Sequence, residues 1–197
     1  MARSQRNRQL QPLHLFICED SKSSKYYMQG LGKVKGINIK TENAYGTSPQ
    51  NVFETALDKK KLFSDSEFVN IYCLFDKDDC SDVEFKRVIQ ECRKEGFIEA
   101  VSVPCYEYWL LLHIQKTSKS FLNAKECCEY FRNLYNKKFK TAYELPQLKA
   151  KSDIFNDLKE GLDFAIKNAE ELDLDENSNP YTNMYKVISE LLKNGTM

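Results

Sequence analysis

No apolar run in the sequence approaches the ~20 residues of a membrane-spanning helix. The basic start through Arg8 is followed by a short apolar stretch without a small-residue cleavage site, so the chain is expected to stay in the cytosol, away from membranes. Glycine and proline are scarce, 7 and 5 in 197 residues, which excludes collagen and low-complexity disorder as descriptions of the whole. The 7 cysteines are odd in number and two of them, Cys127 and Cys128, are adjacent, a poor basis for a disulfide framework; all are read as reduced. There is no Cys-x-x-Cys pair or Cys/His cluster, so spacing does not point to zinc. What is present, 42% hydrophobic and 29% charged residues, is enough for one compact fold with a helical appendage.

Charge of either net sign is also missing, but the zero conceals a division. Residues 116–151 hold nine Lys/Arg against three Glu, and residues 153–178 hold nine acids against two Lys. Two such blocks either neutralise each other across a helix pair or leave a basic face for a polyanion backbone, aided by Arg3, Arg6 and Arg8.

Residues 13–18, 68–75 and 97–103 are apolar runs too short for helices and read as strands buried on both faces; 37–41 reads as a weaker strand. Helices are predicted over 24–34, 49–63 behind Ser48 and Pro49, and 83–95 behind Asp82 with Gly96 as the stop. The alternation predicts an α/β fold, a parallel sheet of about four strands flanked by helices, over residues 10–114. A helix over 106–114 closes that core, and helices over 124–139, 154–172 and 183–193 make a helical C-terminal extension over 115–197 packed on it. Segments 141–151 and 173–180 read as mobile connections.

In an open parallel sheet ligands bind at the carboxyl ends of strands. The first predicted strand ends at Glu19 and the third at Asp76-Lys77-Asp78-Asp79. Extended backbone would put Asp76 and Asp78 on one side, and Glu19 would join them if the two strands are neighbours. Such an all-oxygen set suits Mg²⁺ or Mn²⁺. The bland alternatives are helix-capping acids and a polar loop. Bound divalent cations would make phosphoryl transfer or phosphodiester cleavage the natural chemistry. Lys22 and Lys25 would add charge for phosphate at the next helix, unless they are solvated surface lysines. The stretch 104–113 holds the only Trp, one of 2 His, and Glu107 in an otherwise apolar helix. Glu107 is either a first-turn acid or a functional group at the sheet edge. His113 is either a satisfied core residue or part of the site.

Three blocks, Phe16-Ile17-Cys18-Glu19-Asp20-Ser21-Lys22, Leu74-Phe75-Asp76-Lys77-Asp78 and Pro104-Cys105-Tyr106-Glu107-Tyr108-Trp109-Leu110-Leu111-Leu112-His113, resemble the signature blocks of RloB-like proteins, whose core is similar to the TOPRIM nuclease domain. The resemblance continues through 151–172 and 179–185. It implies a catalytic Glu after the first strand, Glu19, and an Asp-x-Asp after the third, Asp76 and Asp78, binding Mg²⁺ and cutting or rejoining nucleic-acid phosphodiesters. It further implies a role in bacterial antiphage defence, often beside an ATPase subunit, with RNA, tRNA in particular, as the favoured target. The chain departs from the pattern at Asp20 in place of Gly, at Cys80 within the acidic motif, and at Tyr185 in place of His.

The sequence thus points to a metal-dependent endonuclease in which Glu19, Asp76 and Asp78 hold the metal, and Glu107 and His113 complete or orient the site. Lys22, Lys25, Lys137, Lys138 and Lys140 would contact nucleic acid, and an ATPase subunit or further copies of the chain are the other expected partners. Two rivals remain at this point: a haloacid-dehalogenase-type phosphatase with Asp76 as nucleophile, and a non-catalytic subunit that binds an ATPase or nucleic acid.

Overall fold

The computed structural model describes residues 11–19, 22–63, 69–78 and 80–194. Asp20, Asp79 and the three N-terminal arginines lie outside the described residues. Strands β1 (Leu13–Cys18), β2 (Ile39–Asn43), β3 (Val69–Asp76) and β4 (Ile98–Val103) alternate with helices α1 (Ser23–Lys35), α2 (Pro49–Leu62) and α3 (Asp82–Lys94). After β4 come α4 (Glu107–Leu112), α5 (Ala124–Phe139), α6 (Leu145–Lys149), α7 (Ile154–Leu158), α8 (Leu162–Leu172), a two-residue strand β5 (Tyr181–Thr182) and α9 (Met184–Asn194). The sheet order is β2-β1-β3-β4-β5, with the first four strands parallel and β5 antiparallel to β4.

The period of two along the strands distributes the core to both faces. Leu15, Ile17, Ile71, Cys73, Phe75 and Val101 pack with Val52 and Ala56 of α2 and with Phe85, Val88, Ile89 and Cys92 of α3. Phe16, Cys18, Tyr72 and Leu74 face the other way, against α1, α4, α5 and the helices that follow. The C-terminal helices thus share one continuous apolar cluster with α1 and α4. Caps fix where the covering helices begin. The Ser48 hydroxyl accepts from the Asn51 amide at 3.3 Å, ahead of Pro49, and the Ser81 hydroxyl from that of Glu84 at 3.2 Å, so Ser81 rather than Asp82 caps α3.

Other expectations also change. The helix predicted over 154–172 is broken by a 3-10 turn at Lys159–Gly161. At Gly161 a Cβ would stand 2.5 Å from the His113 carbonyl oxygen. The close approach of the His113 carbonyl at the end of α4 therefore demands glycine there, where the 3-10 turn ends. The segment predicted as a mobile connection holds α6, with Leu148 buried and the Glu144 amide donating to the Gln147 side chain at 2.9 Å. The fifth strand is too short to leave a period. It is fixed instead by Asn183, whose Oδ1 accepts from Val101 N–H at 2.7 Å and whose Nδ2 donates to the Glu99 carbonyl at 3.1 Å. The two charge blocks meet, Lys116 pairing with Glu171 at 2.6 Å and Lys151 with Asp153 and with Asp157 at 3.1 Å. Among the described residues no helix is long and apolar enough to cross a membrane.

Candidate active site

From β1 the chain moves outward to β2, then returns past β1 to β3. The loops leaving β1 and β3 therefore diverge, and a crevice opens at the carboxyl ends of these two strands. Glu19 follows the last residue of β1 and Asp76 is the last residue of β3. The strands are hydrogen-bonded neighbours in the register Cys18 to Leu74, and the Glu19 amide continues the ladder by donating to the Leu74 carbonyl at 3.0 Å. The Glu19 carboxylate then turns across the strands. Its Oε2 accepts the Asp76 backbone N–H at 2.9 Å. A side chain and a backbone amide 57 positions apart in the chain are so brought together.

Asp78 comes to the same cleft as Glu19 by a different route from the one its spacing implies. The extended strand stops at Asp76, the Lys77 and Asp78 amides donate to the carbonyls of Ser102 and Pro104 at 2.9 and 3.0 Å, and Asp78 is left-handed at φ +36°. The i, i+2 argument from extended backbone fails there, because the chain is already turning toward α3. Asp78 nevertheless lines, with Glu19, a cleft of about 350 Å³. Thr47, Ser48 and Pro49 at the start of α2, Lys77, Cys80 and Glu84 complete its wall. Burial, then the charges of Glu84 and Glu19, push the Cys80 thiol up to about 11, so the cleft carries a negative field. Lys77, ion-paired with Asp82, and the amino end of α2 supply the opposing positive field. The wall offers the carboxylate oxygens of Glu19, Asp78 and Glu84, the ligand type that hard divalent cations take.

Lys25 stands at this rim, donating to Asn43 Oδ1 at the end of β2 at 3.2 Å, and exposed Lys22 precedes α1. Lys137, Lys138 and Lys140 are exposed at the end of α5. They are not gathered with the carboxylates: Lys138 reaches the His113 carbonyl at 3.5 Å, beyond the C-terminal end of α4.

Glu107 and His113 lie outside the cleft wall. His113 is buried; its Nδ1 donates to the Trp109 carbonyl at 3.1 Å, so its Nε2 accepts from the Tyr27 hydroxyl at 2.9 Å. Burial holds its pKa down to about 3, so it is a neutral, satisfied core residue. Glu107 is 2% exposed. Its Oε1 accepts from Ser23 Oγ at 2.9 Å and faces Lys149 Nζ at 3.3 Å. Burial alone would raise its pKa, but Lys149, Ser23 and the thiols of Cys105 and Cys128 outweigh that and lower it. Cys105, Glu107 and Cys128 form a buried group whose ligand atoms all lie within 4.8 Å of one another and could hold a metal ion. Ionisation of the buried Tyr106 hydroxyl is opposed first by burial and then by neighbours that include Asp76 and Glu107.

Sequence reasoning missed the 47–49 wall and the cysteines of the buried group. The first had a signal, since Ser48-Pro49 was legible as a helix start and β2 must end at the same rim as β1. The second had none, because Cys105 and Cys128 are brought together only by the packing of α4 on α5.

No curated protein and no solved structure matches the chain significantly. A family model described as RloB-like protein matches residues 14–191, from β1 into α9, taking in Glu19, Asp76 and the whole cleft wall. The chain belongs to the RloB-like protein family.

Proposed function

We propose that this protein is a divalent-metal-dependent endonuclease, with Mg²⁺ or Mn²⁺ held by Glu19, Asp76 and Asp78. The observation that carries the reading is the convergence of Glu19 on the Asp76 amide at the switch point of the sheet. A cation bound there would neutralise phosphodiester charge and ease ionisation of an attacking water. The chain's own part is positioning. The Asp76 amide fixes the Glu19 carboxylate by one oxygen, setting the direction from which the other would meet the metal. The start of α2 and Lys25 orient a phosphate at the rim. Lys137, Lys138 and Lys140 would meet the nucleic acid further along the surface.

The preference for RNA, and for tRNA, the place in antiphage defence and an ATPase partner extend this reading from the family resemblance. The test is cleavage of total tRNA and of plasmid DNA with Mg²⁺ by wild type, Asp76→Asn and Glu19→Gln. Both variants are expected to lose on the order of 10²–10⁴-fold in rate, and induced expression of wild type, but not of Asp76→Asn, to arrest growth. Equal cleavage by all three proteins removes the assignment.

A further inference from the structure

The second acidic centre, away from the cleft, is better furnished for a different ion. Cys105 precedes α4, Glu107 is its first residue, and Cys128 lies in the second turn of α5. All three are at least 97% buried. The Cys105 and Cys128 sulfurs are 3.7 Å apart. Two thiolates on a tetrahedral zinc, each at about 2.3 Å, stand about 3.8 Å from one another. The Glu107 carboxylate completes a three-way grouping with both sulfurs. Two sulfurs exclude Mg²⁺ and Ca²⁺, which take oxygen ligands, and favour a borderline-soft ion.

The charges close in both states. Without a cation the buried Glu107 carboxylate is balanced by Lys149 at 3.3 Å, and contact with neighbouring thiols together with burial keeps Cys105 and Cys128 protonated. When a Zn²⁺ enters, two thiol protons leave to solvent and two positive charges replace them. The sum over Cys105, Glu107, Cys128 and Lys149 is zero before and after, so uptake leaves no uncompensated charge in a buried place.

We propose that Cys105, Glu107 and Cys128 form a structural zinc site that pins the first turn of α4 to α5. A water molecule would complete the tetrahedron without altering that sum. Ser23 Oγ, donating to Glu107 from the first residue of α1, orients the carboxylate as outer partners of zinc ligands do. The site ties α1, α4, α5 and, through Lys149, α6 into one joint beside the carboxyl end of the sheet. It stands whether or not the cleft is a nuclease.

The experiment uses the full chain, reduced, stripped with a chelator, reloaded with Zn²⁺ and freed of excess ion before its metal is measured. Wild type, Asp76→Ala and Cys92→Ser, the last altering a buried cysteine of α3, are expected to retain about one zinc per chain. Cys105→Ser and Cys128→Ser should lose it. Because a buried Cys→Ser change can unfold a protein, Co²⁺ loading of wild type supplies the second reading. Sulfur-to-cobalt charge-transfer absorption with intense tetrahedral bands supports thiolate ligation. Failure of wild type to take up stoichiometric zinc overturns the proposal. So does cobalt binding without a sulfur band, or zinc retained by Cys128→Ser but lost from Asp76→Ala.

Discussion

His113 offers a quantitative test of the difference between a core histidine and a catalytic one. Its ring is fully buried between Tyr27 and Trp109, and the Trp109 carbonyl can only accept, so the proton sits on Nδ1 and Nε2 is an acceptor. Burial, reinforced by the charge of Lys138, holds the folded-state pKa at about 3 against 6.5 in an unfolded chain, despite the opposing hydrogen bond to Trp109. With the folded pKa depressed, the stability that neutral His113 confers is complete above about pH 6.5. It is lost as pH falls toward about 3, because the unfolded chain binds a proton the folded one refuses. Between about pH 7.5 and about pH 5 the loss from this residue is about 2 kcal/mol. His14, also lowered by burial, adds a loss of the same sign that is common to wild type and variant. Urea unfolding followed by circular dichroism at the two pH values should show His113→Phe losing about 2 kcal/mol less than wild type, whatever its stability at the higher pH. The double change Tyr27→Phe with His113→Phe removes the orphaned hydroxyl and should show the same reduced slope. An unchanged slope in both variants would refute the neutral, buried assignment and return His113 to the catalytic candidates.

Two further changes test the architecture around the cleft. Gly161→Ala places a methyl group 2.5 Å from the His113 carbonyl oxygen. It should destabilise the protein by about 1–3 kcal/mol, read as a lower urea midpoint; wild-type stability would mean that the turn at Lys159–Gly161 yields freely. Ser48→Ala deletes the acceptor for the Asn51 amide at the start of α2. It should remove about 1 kcal/mol, seen as a fall of about 2–4 °C in Tm, and an unchanged Tm would show that the cap carries no weight.

The strands β1, β3 and β4 were legible because each is a short apolar run bounded by breakers, and burial on both faces leaves no other reading for such a run. Helices α2 and α3 were legible from their capping residues, and α3 also from the stripe Phe85, Val88, Ile89 and Cys92. The candidate acids were legible for a weaker reason: Glu19 and Asp76 end apolar runs, which says where they sit along a strand but not which strands are neighbours. The break at Gly161 and the helix α6 were not legible. The apolar stripe of 154–172 runs through the 3-10 turn without interruption, and the glycine is required by an atom of residue 113, far away in the chain.

The linear order of residues settled that this is an α/β chain with acids at strand ends, since periodicity and capping are local properties that any window of a dozen residues carries. Whether those acids meet was decided only by the strand order, which sets β1 against β3 and lets the Glu19 carboxylate take the Asp76 amide. The fold also separated groups that the sequence ran together, sending Glu107 to the sulfurs of Cys105 and Cys128 and His113 into the core. Contacts between side chains tens of residues apart depend on how helices pack, and packing is a property of the whole buried surface rather than of any stretch of it.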